Sequence, residues 1–185
     1  MQPIPQPVRM PCVFFDRDGI VNRSPGPGYV ERWEDFHLLP EFPAVLATVT
    51  RLGYAAVIVT NQRGVALGNM TLETVQEIHR RLRDVLRTRH GLEILDVLCC
   101  PHDRDECDCR KPKPGMLLEA ARRHSLDLAR SWMIGDSAKD VEAGRAAGCR
   151  TILVGDAEPP APPPDHRFAN MSALASGIAK LLAAG

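Results

Sequence analysis

Short, continuously apolar stretches alternate with longer amphipathic ones along this chain. Residues 13–15, "AAVIVT" (55–60), 97–100, "SWMIGD" (131–136) and "TILVG" (151–155) each read as a buried strand. Between them run helical periods. Residues 43–52 carry proline in the first turn and Gly53 just past the end. From 71 to about 89, Leu72, Val75, Ile78, Leu82, Val85 and Leu86 recur every three or four positions. The other face of that helix carries arginines, a solvated basic surface, and Gly91 stops it. Residues 114–124 and 139–147 are two further helices, and "SALASGIAKLL" (172–182) closes the chain. "PPAPPP" (159–164) is expected to be a stiff surface connection. Strands alternating with helices predict an α/β fold, a Rossmann-like doubly wound parallel sheet covered on both faces.

At 185 residues the chain suits one domain, residues 1–185. Hydrophobic residues make up 44% and charged ones 25%, and 23 basic residues balance 23 acidic ones. That balance argues against a broad nucleic-acid or membrane surface but leaves room for a local basic pocket. A monomer is expected. No apolar run approaches the roughly 18 residues that span a bilayer. The start, "MQPIPQPVRM", lacks a signal-peptide core, so a cytoplasmic location is expected.

In parallel sheets ligands bind beyond the carboxyl ends of the strands. The first strand ends in Asp16-Arg17-Asp18, the second in Thr60-Asn61-Gln62. The third leads to Arg110-Lys111, and the fourth ends in Asp136, with Asp140 four residues on. Acids gathered on one edge repel unless a cation joins them. Asp16, Asp18 and Asp136, with backbone and water oxygens, suit Mg²⁺. Lys111 and Thr60 would then hold phosphate oxygens. Asp16, directly after its strand, could attack phosphorus in line and form an aspartyl-phosphate. Asp18 could protonate the leaving oxygen and then activate water.

"DRDG", "TNQ", "RKPKP" and "GDSAKD", in that order after those strands, resemble the four motifs of the haloacid-dehalogenase superfamily of phosphohydrolases. The resemblance covers about residues 10–155. It implies a phosphoric monoester hydrolase with Asp16 as nucleophile and Asp18 as acid/base. It also implies Mg²⁺ held by Asp16, the Asp18 carbonyl and Asp136, with Asp140 supporting them from behind. An acid at Asp18 favours a phosphatase over the dehalogenases and ion-pumping ATPases of the superfamily. Residues 16–60 hold no long insertion, so the chain looks capless.

"CCPHDRDECDC" puts Cys100, His102, Cys107 and Cys109 within ten residues. Four soft ligands at that spacing suit a closed, structural Zn²⁺ site on a loop over 99–111. Disulfides are the poorer reading in a reducing compartment. Arg110 and Lys111 follow the last ligand at once, so the metal would fix a phosphate-binding cation. A zinc loop in a capless member resembles the D-glycero-D-manno-heptose 1,7-bisphosphate phosphatases, and also the histidinol-phosphate phosphatases. "GPGYV", "TNQRGVALGNMT" and "CRKPKPGML" favour the former. That resemblance implies substrate contacts from Gly28, Tyr29, Asn61, Gln62, Arg63, Arg110 and Lys111. The loop "NRSPGPGYV" is longer than the heptose pattern, and only four residues separate His102 from Cys107, closer to the histidinol type. A zinc-stabilised binding module without catalysis is the reading from another class, but such a chain should have lost Asp16, Asp18, Lys111 or Asp136.

Other residues have plainer readings. Cys12, Cys99 and Cys149 fit the core, and Trp33 and Trp132 fit packing. His37, His79, His90, His124 and His166 have no partner spacing and read as incidental surface or helix residues, and Arg17 is expected to be solvated.

Overall fold

A computed structural model describes residues 9–183; the proline-rich start, residues 1–8, lies outside them. Six strands form one all-parallel sheet. They are β1 (Cys12–Phe15), β2 (Ala55–Asn61), β3 (Asp96–Cys100), β4 (Trp132–Gly135), β5 (Arg150–Val154) and β6 (His166–Phe168), in spatial order β3-β2-β1-β4-β5-β6. Five helices connect or cover them: α1 (Phe42–Arg51), α2 (Leu72–His90), α3 (Gly115–His124), α4 (Ala138–Ala146) and α5 (Met171–Ala183). None is long and apolar enough to cross a membrane.

The pleat sorts β1 into two cores. Val13 and Phe15 face one side with α1, α2 and α5, through Phe42, Leu46, Ile78, Leu82 and Ile178. Cys12 and Phe14 face the other with Met116 and Leu117 of α3 and Ala143 of α4. Both faces of a parallel sheet are covered, which is why these strands read as unbroken apolar runs.

Helix ends follow local chemistry. Thr71 caps α2, its hydroxyl accepting from Thr74 N–H at 3.2 Å. Gly91 ends α2 in the left-handed region, as its place after the last period implies.

The expected elements are all present, with ends shifted by a residue or so. β6 was not anticipated: three residues with two exposed give no apolar run. It follows the proline connection. The expectation that Cys99 is a core residue is also corrected. β3 is an edge strand, and its alternation turns Cys100 inward while leaving Cys99 half-buried.

After β3 the chain returns across the sheet to β4, beside β1. Successive connections therefore diverge between β1 and β4, which opens a crevice at their carboxyl ends.

Candidate active site

Asp16 leaves β1 at that crevice, its N–H donating to the Ile134 carbonyl at 2.9 Å. Lys111 comes from the loop after β3. Its Nζ lies 2.6 Å from Asp16 Oδ1, 2.9 Å from the Val59 carbonyl and 2.7 Å from Asp140 Oδ1. The last is a charge contact without hydrogen-bond alignment, since Asp140 Oδ1 has no hydrogen-bond partner among the described residues. Lys111 is 2% exposed and Asp140 0%. Burial pulls the lysine towards neutrality, but Asp140 and Asp16 outweigh it and raise its pKa. Asp140 Oδ2 also accepts from Ser137 N–H at 3.1 Å, so the same carboxylate that touches Lys111 anchors the start of α4.

Asp16, Asp136 and Asp140 each offer an oxygen within 4.8 Å of the others. Burial pushes Asp16 up to about 7 against the pull of Lys111, with Asp140 and Asp136 adding to the rise. Burial and Asp140 push Asp136 up to about 6. Three carboxylates and one ammonium leave a formal charge of −3 + 1 = −2. One divalent cation matches that deficit, and an all-oxygen donor set suits magnesium. Gly19, at φ +94°, completes the turn; a Cβ there would overlap the Asp136 carboxylate. That is the physical reason for the glycine in "DRDG".

Asp18 stands apart from the three acids. Its carboxylate accepts from Arg17 Nε and Nη2, from Asn22 Nδ2 at 2.9 Å and from Gln62 Nε2 at 3.3 Å. Thr60, buried at the end of β2, accepts from Gln62 Nε2 at 2.8 Å. Asn61 ties β2 to the Lys111 loop through both of its polar atoms: Nδ2 donates to the Lys111 carbonyl at 2.9 Å, and Oδ1 accepts from Lys111 N–H at 3.0 Å.

These groups open into a cavity of about 440 Å³, with Asp16, Asp18, Thr60, Lys111 and Asp136 at its floor and the loop 24–29 on one wall. Arg63, Arg104, Arg110 and Lys139 line the remainder. Four cations around an acidic floor fit an anion that enters with, or onto, a metal ion. Tyr29 rests against Gly64, where any Cβ would strike its ring and Met70.

The cysteine loop is drawn together as its spacing implies. Cys100, His102, Cys107 and Cys109 present ligand atoms within 4.8 Å of one another. The Cys107–Cys109 and Cys100–Cys107 sulfur pairs are 3.2 and 3.5 Å apart, and His102 Nδ1 lies 3.3 Å from Cys109 Sγ and 3.7 Å from Cys100 Sγ. A tetrahedron of Zn–S bonds has edges of about 3.8 Å. The three thiols and the imidazole therefore bracket a zinc-sized space, and every cysteine is free. Burial pushes Cys107 up, but hydrogen bonds from Cys109 and Cys100 outweigh it and bring the thiol down to about 7.

The HAD-hydrolase-like family model matches residues 108–170. D-glycero-beta-D-manno-heptose-1,7-bisphosphate 7-phosphatase from Pseudomonas aeruginosa is 36% identical, over 77% of this chain and 79% of that protein. The alpha-anomer enzyme of Mycobacterium bovis is 38% identical, over 79% of this chain and 80% of that one. The crystal structure of D,D-heptose 1,7-bisphosphate phosphatase from B. bronchiseptica, complexed with magnesium and phosphate, superposes with a TM-score of 0.81 at 30% identity, over 93% of this chain and 99% of that one. The chain belongs to the heptose-bisphosphate phosphatase family. It is a phosphatase of the HAD-like hydrolases.

Asp16, Thr60, Lys111, Asp136 and Asp140 of this phosphatase converge as the order of motifs implied, and Gly28, Tyr29, Asn61, Arg63 and Arg110 line the cavity above them. Gln62 does not reach that cavity. It is 1% exposed and turned inward onto Thr60 and Asp18, so it orders the floor rather than meeting ligand. Arg17 is not solvated but fully buried, because Asp18 and His79 satisfy it. His79 is likewise buried, and His124 Nε2 lies 2.8 Å from Asp96 Oδ2. Sequence reasoning missed Arg104 and Lys139 in the phosphatase cavity. Lys139 sits inside "GDSAKD", the second residue of α4, but exposed cations leave no periodic signal.

Proposed function

We propose that this phosphatase removes the 7-phosphate of D-glycero-D-manno-heptose 1,7-bisphosphate through a phosphorylated Asp16. The observation that carries this reading is the buried Asp16–Lys111–Asp140 array beside Asp136, opening into a cavity rimmed by Arg63, Arg104, Arg110 and Lys139. A substrate with a second phosphate has use for those cations.

Asp16, Asp136 and the backbone carbonyl of Asp18 would hold Mg²⁺, which neutralises phosphate charge when bound. Asp16 attacks phosphorus, forming the O–P bond as the bond to the sugar oxygen breaks. Asp18 gives that oxygen its proton, then takes one from the water that cleaves the acyl phosphate. Lys111 and Thr60 receive the phosphoryl oxygens. Lys111 also holds Asp16 in line, since the 2.6 Å contact leaves its other oxygen for attack. Arg110, Arg63, Gly28 and Tyr29 meet the rest of the substrate, with Arg104 and Lys139 near the second phosphate. Zn²⁺ on Cys100, His102, Cys107 and Cys109 would be structural, with no ligand position open for chemistry. Thiolate ligands of this kind suit a reducing cytoplasm, and the proposed partner there is a small phosphorylated metabolite met by a monomer.

The test is kcat/KM with Mg²⁺ on both anomers of the heptose bisphosphate and on histidinol phosphate. The heptose bisphosphate should be preferred by 100-fold or more, on the order of two well-placed charged contacts. Preference for histidinol phosphate would overturn the substrate, and inertness on every ester would restore the binding-module reading.

A further inference from the structure

Among the described residues, the chemistry proposed above leaves two buried basic side chains without a role, Arg17 and His79. A guanidinium cannot shed its charge, so burying one demands that its donors be answered. Arg17, 0% exposed, answers them in two directions. Nη2 donates to both oxygens of Asp18 at 3.1 Å, and Nε donates to Oδ1 at 3.2 Å. Nη1 lies 3.3 Å from Nε2 of His79 on α2, and the Phe36 ring centre is 6.0 Å from the guanidinium carbon.

His79 stands four residues after Val75 and three before Leu82, on the stripe that α2 buries. An apolar residue would suit that stripe better, unless the ring's nitrogen is needed. Facing a permanent cation, Nε2 serves as an acceptor, which places the ring's one proton on Nδ1. Burial and then the Arg17 charge pull its pKa down to about 3, so it remains an acceptor through the neutral range.

A carboxylate that gives and takes a proton at one fixed point must have its plane fixed. Asn22 and Gln62 each give Asp18 a single hydrogen bond. The fork of Arg17 is its only bidentate donor among the described residues, and a planar fork sets the orientation of what it grips. The fork is itself free to turn unless Nη1 is tied at the far end.

We infer that His79 is a positioning residue for phosphoryl transfer: by holding Arg17 Nη1 it sets the guanidinium plane that aims Asp18 at the leaving oxygen. This rests on the reading of Asp18 as the acid/base.

The experiment compares kcat/KM for two esters, an alkyl phosphate and p-nitrophenyl phosphate. Both values report steps through departure of the first leaving group, and only the alkoxide needs a proton to leave. Asp18→Asn is the reference and should lose about 100-fold or more on the alkyl ester and far less on the aryl one. His79→Leu should lose about tenfold on the alkyl ester and under about threefold on the aryl ester, with His79→Gln, which restores an acceptor, recovering most of the loss. If the leucine variant does not fold, His79→Met, whose unbranched side chain adapts to the space, takes its place in the same comparison. Equal losses on the two esters, or no loss, would overturn the inference while Asp18→Asn still discriminates. Should Asp18→Asn itself fail to discriminate, the acid/base reading falls and the inference with it.

Discussion

The acidic edge and the cysteine loop are both metal-suited clusters, yet they are built by opposite means. Cys100, His102, Cys107 and Cys109 lie within ten residues, and three of the four are at least partly exposed. Asp16 and Lys111 are 95 residues apart in sequence and meet at 2.6 Å in a dry setting. A metal on the loop would supply the order that so short a segment, with almost no core of its own, lacks. The edge is held by the sheet, and its closeness of like charges is what calls for a cation. One cluster would use metal for structure; the other uses structure to bring metal-suited acids together. They join at Arg110-Lys111, where the loop delivers its cation to the edge.

That contrast can be broken at several points. The largest effect is expected at the edge: Asp16→Asn should lower kcat by about 10⁴-fold or more, because an amide cannot form the acyl phosphate. Substantial turnover in this variant, measured with the alkyl ester, would show that another group is phosphorylated. Cys107→Ser should do the reverse in kind. It should cost several kcal/mol of stability in chemical denaturation together with loss of bound zinc, and activity should fall only as Lys111 loses its place. Full activity at full stability without zinc would separate the loop from the edge.

Asp140→Asn tests the join itself. Lys111 would keep Asp16 and the Val59 carbonyl but lose its second charge partner. Breaking one side of a buried pair costs about 3 kcal/mol or more, measurable by denaturant titration, and kcat should fall with it.

Protons would compete with magnesium for the same acids. Asp16 is raised to about 7 and Asp136 to about 6, so magnesium affinity by calorimetry should weaken as pH falls through that range. The smallest effect concerns the buried imidazole. Its folded pKa, near 3, lies below the ordinary 6.5, so only the unfolded chain takes up a proton between those values. Stability should therefore fall as pH drops from about 6.5, by at most about 1.4 kcal/mol per unit, and His79→Met should flatten that slope.

Legibility in the sequence followed the same division. The zinc loop is visible as spacing alone, since its ligands are neighbours. The edge is visible only through the order of motifs after strands, a statement about topology, and it held because a parallel sheet aligns strand ends. Arg17, expected to be solvated because it is charged, is buried, and His79, for which no partner spacing is visible, pairs with it. His79 in fact falls on the α2 stripe with Val75 and Leu82, and Arg17 follows an apolar strand directly. Those positions carried the signal. Gln62 was placed in the cavity by resemblance, but the side-chain direction at the end of β2 turns it inward. β6 and the cavity cations Arg104 and Lys139 had no pattern to betray them.

The covalent step at Asp16 is tested most directly by trapping. Borohydride reduces an aspartyl-phosphate to homoserine, so quenching the enzyme during turnover of the alkyl ester with magnesium should place that mass change on residue 16 in peptide mass spectrometry. Reduction at another residue, or none while turnover proceeds, would contradict it.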